Sequence, residues 1–126
     1  MIVAGFGFRR HAKAESLSDA YALVADAYQV SAIATLSDKA DIAPFRTLAR
    51  SLALPVCRVS EEDASKIETR TNSAFSLAER QAGSVAEATA LAAAGPGAEL
   101  VHARVISADG MATCALARGS GTGESK

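Results

Sequence analysis

Tryptophan is absent from this chain, and two tyrosines and four phenylalanines supply all its phenyl rings. A ring-based core is thereby excluded, and the interior has to come from Ala, Val, Leu and Ile. Cysteine is scarce as well. Cys57 and Cys114 lie far apart without a CxxC partner, and beside only two histidines they leave no zinc site. No run is long and apolar enough to span a bilayer, and no basic stretch precedes an apolar segment and a cleavage site. Neither sign of charge is in excess: 13 Lys and Arg against 14 Asp and Glu leave a formal net charge of -1. General attraction to nucleic acid or anionic lipid is therefore excluded, and any polyanion site has to be local. These absences point to a reduced, cytoplasmic protein with no membrane or nucleic-acid partner, no metal and no cofactor. Both thiols read as small core or strand residues.

What is present is the composition of one globular domain, 126 residues long and 49% hydrophobic, large enough to bury a core unaided. Met1 to Ala4 reads as a buried strand ending at Gly5 and Gly7. From Ala14 to Tyr28, Leu17, Tyr21, Val24 and Tyr28 recur at helical spacing. Val30 to Leu36 is a short β-type run, followed by a helix with the stripe Phe45, Leu48, Ala49 and Leu52 and with Pro44 in its first turn. Pro55 to Val59 is a third strand, after which Ser60 caps a helix from Glu61 to Ile67. Glu68 to Ser73 reads as an exposed connection, and Ala74 to Ala82 as a helix ending at Gly83. Ser84 and Glu87 have capping-box spacing at the head of an alanine-rich helix that Gly95-Pro96 stops. Two strands, Glu99 to Ser107 and Met111 to Arg118, join through Asp109-Gly110, a hairpin signal. The expected fold is a single-domain layered α/β fold with a mixed sheet, parallel N-terminal strands and a C-terminal antiparallel hairpin. The domain would span 1–118, with 119–126 a flexible tail.

Four places have the residue types for chemistry. In Gly5-Phe6-Gly7-Phe8-Arg9-Arg10, glycines at a strand end let the backbone approach a ligand, and the arginines suit carboxylates or phosphates. The same residues also describe a tight turn with solvated arginines, and the dinucleotide fingerprint is incomplete because Arg10 replaces its third Gly. In Thr35-Leu36-Ser37-Asp38-Lys39-Ala40-Asp41, Thr35 and Lys39 would emerge at the same sheet edge if the first two strands are parallel. The plainer reading makes Asp41 a helix cap and Lys39 a surface charge. Ser84 heads a helix whose N-terminus can receive an anion, although its capping box with Glu87 suffices without one. His102 and Arg104 share one strand face, so His102 is either a general acid or base or a packed histidine. His11 adds a donor beside the arginine turn.

Taken in order, the short strand, G-x-G-x-R-R, a helix, the D-x-K-A-D loop, S-V-A-E-A-x-A-L-x-A-x-G and a final hairpin resemble the C-terminal domain of CbiG. That domain also stands alone as CobE, and both belong to cobalamin (vitamin B12) biosynthesis. The resemblance covers about Ile2 to Arg118, and because the chain starts at the first strand it is similar to the stand-alone CobE type. It implies a cytoplasmic protein that binds a precorrin or corrin intermediate, with other enzymes of the pathway as further partners. Its ligand-binding residues would come from Gly5, Gly7, Arg9, Arg10, Thr35, Lys39, Asp41, Ser84 and Arg104, with Phe6 and Phe8 as an apolar wall. CbiG proteins open the lactone of cobalt-precorrin-5A and release acetaldehyde, so the alternative expectation is a hydrolase in which His102 or a loop carboxylate activates water. An unrelated nucleotide-binding α/β module built on the Gly5–Arg10 turn is the third. The chain departs from the family at Phe8, where a small thiol residue is common, at Ala12 and Lys13, where hydroxyls are, and at His102-Ala103-Arg104, where a lysine is.

Overall fold

A computed structural model of the chain describes residues 2–9, 11–26, 28–64, 82–95 and 97–119. Side chains at 82–84 and 103 are outside this description, as are the expected connection at 68–73, the helix from Ala74 and the tail from 120 onward. Among the described residues five strands form one mixed sheet: β1 (Ile2–Phe8), β2 (Ala32–Leu36), β3 (Val56–Val59), β4 (Glu99–Ile106) and β5 (Ala112–Arg118), in the order β3-β2-β1-β5-β4. β1, β2 and β3 are parallel, and β5 runs antiparallel to both β1 and β4. The sheet is covered by the helices α1 (Ala14–Ala25), α2 (Ala43–Leu52) and α3 (Ala82–Ala94). This is the mixed α/β layering that the order of elements implies.

Strand alternation assigns the two faces. Ala4, Phe6 and Phe8 point with Ile33, Cys114 and Leu116 into a core closed by Leu17, Ala20 and Val24 of α1 and Phe45 and Leu48 of α2. The few rings are concentrated there: Phe6 meets Phe45 edge-on at 5.8 Å, and Phe8 stacks on it at 6.1 Å. On the other face Val3, Ala32, Ala34 and Val59 pack with Ala88 of α3. α3 runs antiparallel to β1, since Ala86 and Ala90 lie over Gly5 while Ala94 lies by Gly119, just beyond the Arg118 that pairs with Ile2. Both thiols are strand residues. Burial raises the Cys114 thiol far above its usual range and also raises Cys57, so each stays protonated at neutral pH.

Several boundaries differ from the sequence reading. β1 does not end at the glycines but continues to Phe8, with Gly5 paired to both Ala34 and Ala115 and Gly7 to Thr113. α1 stops before Tyr28 because the chain turns back into the sheet, where the Ser31 N–H donates to the Ile2 carbonyl at 2.8 Å. Ser60 does cap a helical turn at 61–64, its Oγ accepting the Asp63 N–H at 3.0 Å. The Ser84–Glu87 capping box is overturned: α3 begins earlier, at Ala82, and Glu87 is buried inside it. The reason lies in β4, where two register shifts leave extra residues beside β5. One of them orphans the Arg104 N–H, and the Glu87 carboxylate accepts it at 3.2 Å. Gly119, assigned to the tail, is buried instead against the end of α3.

Two backbone positions generate predictions. A Cβ at Gly5 would sit 2.2 Å from the Ala86 carbonyl oxygen and 2.5 Å from the Ala90 nitrogen, both fixed helix backbone. Gly5→Ala should therefore lower stability by about 1–3 kcal/mol, read as an earlier urea midpoint. Ala53 closes α2 at φ 57°, its N–H bonded to the Ala49 carbonyl. Ala53→Gly removes the left-handed penalty and should raise stability by about 1 kcal/mol in the same assay.

Candidate functional site

The carboxyl ends of β1, β2 and β3 share one edge of the sheet because the three strands are parallel, and in open α/β sheets ligands bind at that edge. The β4–β5 turn reaches the same edge, because Phe8 pairs with Ala112 and the Arg9 N–H donates to the Met111 carbonyl at 2.9 Å. α3, being antiparallel to β1, directs its N-terminus there as well, which adds a partial positive charge.

Two expected loops meet at this edge. Lys39, in the loop after β2, extends its Nζ to donate to the Phe8 carbonyl at 2.6 Å and lies 5.0 Å from the Phe8 ring centroid. It is half-buried, a clasp rather than a loose surface charge. Arg9 follows directly and is exposed, as is His11. Arg10 lies outside the described residues, and so does the Ser84 side chain, although the Ser84 backbone is in the first turn of α3.

Other expected site residues have structural work instead. Gly5 makes room for α3, and Gly7 is a paired strand residue whose carbonyl accepts the Thr113 hydroxyl at 3.2 Å. Thr35 is fully buried and donates to the Phe6 carbonyl at 2.9 Å, bracing β2 against β1. Phe6 and Phe8 form no wall for a ligand, because both are sealed in the core under α2. Asp41 does not cap α2, whose N-cap is Ile42; its two oxygens accept from both terminal nitrogens of Arg58 at 2.6 and 3.1 Å. That pairing lowers the Asp41 carboxyl and raises the Arg58 guanidinium from their usual values.

His102 and Arg104 do not join the edge. His102 pairs with Leu116, which pairs with Ala4, so it sits four residues short of Phe8, about 13 Å along the strand at the usual rise. β5 also separates it from β1. Arg104 precedes Val105, which is level with Cys114 and Phe6, and the register shifts on either side break the simple alternation assumed for the pair. Among the described residues no cluster of three or more His, Cys, Asp or Glu can hold a metal, and no helix is long and apolar enough to cross a membrane.

The sequence reading missed the residue that organises this edge. Asp109 was legible only as half of a turn signal. Its carboxylate accepts from the Ser107 hydroxyl, from the Ser16 hydroxyl at 2.6 Å and from the Met111 N–H at 3.0 Å. Ser16 Oγ in turn accepts the Lys13 N–H at 3.2 Å, supplying from within α1 the hydroxyl that Lys13 lacks as N-cap. Asp19 adds a second tie by accepting the Ala108 N–H at 2.8 Å. Hydrogen bonds from Ser107, Ser16 and Met111 hold the Asp109 carboxyl down to about 2.

The profile of the cobalamin synthesis G C-terminus matches residues 2–117. Cobalamin biosynthesis protein chiG from Agrobacterium tumefaciens str. C58 has a similar structure, with 32% identity, a TM-score of 0.76, and coverage of 96% of this chain and 100% of that one. CobE, a protein from the cobalamin (vitamin B12) biosynthetic pathway, is 32% identical at a TM-score of 0.71, covering 94% of this chain and 89% of its own. A third structure, from Sulfolobus solfataricus, shares the fold at 21% identity and a TM-score of 0.70, over 92% of this chain and 36% of that one. Comparison with curated protein sequences finds no match.

The Asp109 ties carry a pH prediction. Because its folded pKa of about 2 is below the ordinary 3.8, the stabilisation is complete above the ordinary value and is lost as pH falls toward 2. Wild type should unfold at higher urea than Asp109→Asn at pH 7, and the two midpoints should converge between pH 4 and 2. A gap independent of pH would remove ionised Asp109 from this role.

Proposed function

The chain belongs to the cobalamin synthesis G C-terminus family and is a cobalamin biosynthesis protein, and on that premise we propose that it binds a carboxylate-rich precorrin or corrin intermediate at the carboxyl edge of its sheet. The observation that carries this reading is the Lys39–Phe8 clasp, which draws the loop after β2 to the end of β1 immediately before exposed Arg9. Two cations from separate loops then stand at one end of the molecule, beside the directed N-terminus of α3. Such a macrocycle carries acetate and propionate groups around a broad apolar ring. Cationic donors at the rim suit those carboxylates, and a guanidinium takes one in a two-pronged contact.

Binding is favoured over hydrolysis through His102, because that residue lies in the other half of the sheet and two strands from β1. The nucleotide-module reading loses its loop, since Gly5 and Gly7 are strand residues paired to their neighbours. Cytoplasmic location and contact with other enzymes of the pathway belong to the same proposal.

Absorbance titration with a corrin polycarboxylic acid tests it. We expect saturable binding at micromolar ligand and a loss of about tenfold in affinity for Arg9→Ala, as for one charged hydrogen bond. Lys39→Met should weaken binding similarly, with a thermal scan to separate that loss from loosening of the Phe8 clasp. No spectral change at micromolar ligand, or equal affinity in wild type and both variants, would overturn the reading.

A further inference from the structure

A cation cluster that the sequence reading did not single out lies between α2 and β3. Between α2 and the edge strand β3 is an open hollow of about 450 Å3, lined by Arg46, Arg50 and Arg58 together with Asp41, Ala49 and Val56. Arg46 and Arg50 are four residues apart on α2, hence neighbours on one helix face, while Phe45, Leu48 and Leu52 turn to the core. Val56 and Arg58 share the α2 face of β3, because Cys57 and Val59 between and beyond them pack on the opposite side. The geometry therefore brings three guanidinium groups from two elements around one open hollow.

The charge there is not balanced. Asp41 pairs with Arg58, and among the described residues no ion pair neutralises Arg46 or Arg50. Arg46 contributes only a through-space pull on the Asp41 carboxylate. In a chain whose formal net charge is -1, this hollow carries two positive charges in excess. It also shows which chemistry it accepts, since the Arg58 fork already holds one carboxylate by both oxygens. Ala49 and Val56 supply a small apolar floor between the forks.

We propose that the hollow formed by Arg46, Arg50 and Arg58 is a binding site for a small molecule bearing two or three carboxylates. Arg46 and Arg50 engage its outer carboxylates, and a third carboxylate exchanges with Asp41 for the Arg58 fork. The site uses other side chains than Arg9 and Lys39 and needs no macrocycle.

Titration with propane-1,2,3-tricarboxylate at constant ionic strength, followed by backbone amide NMR, tests the proposal. The expected result is saturable shifts centred on residues 40–58, at least tenfold weaker binding in the Arg46→Ala/Arg50→Ala variant, and tighter binding in Asp41→Asn, which vacates the Arg58 fork. All the substituted side chains are exposed, so thermal midpoints should stay close to wild type and certify that each variant is folded. Shifts elsewhere, equal affinity in the double variant, or weaker binding in Asp41→Asn would overturn it. Acetate at matched carboxylate concentration giving the same shifts would reduce the effect to general charge screening, and inorganic phosphate binding more tightly would overturn the ligand class. Corrin binding through Arg9 and Lys39 uses other residues, so either site can fail while the other stands.

Discussion

The fold rests on the contact between an alanine-rich helix and a strand that has no side chain at the point of closest approach, Gly5. At Gly5 the α3 backbone comes so close that even a methyl group would collide with it. That closeness explains the composition of the helix: Ala86 and Ala90 are small where it meets the strand, and buried Thr89 satisfies its hydroxyl on its own helix, donating to the Val85 carbonyl at 2.8 Å. Dispersion falls off steeply with distance, so a helix seated on bare backbone recovers contact that small side chains would otherwise forfeit. The same arrangement holds β1 from both sides, with α3 on one face and the Phe6–Phe8–Phe45 group on the other.

A strand fixed in this way delivers its last residues to a fixed place. Phe8 presents its carbonyl to Lys39, Arg9 holds the β4–β5 turn through Met111, and Asp109 on that turn holds the first turn of α1. Three segments distant in sequence are joined by short polar links at the sheet's carboxyl edge, and exposed Arg9 projects from the middle of them. Loops carry binding groups well when a rigid scaffold sets them. Here much of the ordering that a ligand would otherwise have to impose has already been done during folding.

Much of this was legible in the sequence, and what was not has identifiable physical causes. Helical periodicity placed α1 and α2, Pro44 marked the start of α2, and Asp109-Gly110 marked the hairpin, because each signal is local. Glycine at position 5 was legible as an approach site, but approach to a helix and approach to a ligand leave the same residue in the sequence. Ser84 and Glu87 matched a cap by spacing, whereas Glu87 answers a backbone amide in a strand 17 residues away that exists only because β4 is irregular. His102 and Arg104 lie on the same irregular strand, whose register shifts no sequence spacing announces. Lys39 and Asp41 found their partners, Phe8 and Arg58, through the parallel pairing of β1, β2 and β3, which no spacing encodes.

Near-neutral net charge decides how such sites can select a ligand. With 13 basic and 14 acidic side chains the molecule has little long-range field, so an anion is not drawn in from a distance. At physiological ionic strength charges are screened beyond about 8 Å, a distance comparable to a single binding site. Discrimination must then come at contact, from how many carboxylates a ligand presents and whether their spacing fits the donors. Lysine and arginine contribute differently to that discrimination. The Lys39 ammonium is committed to the Phe8 carbonyl and fixes the loop, while the exposed guanidinium of Arg9 offers a planar fork. Under the proposed binding, selection at the edge would therefore rest on fit at contact and not on attraction from a distance.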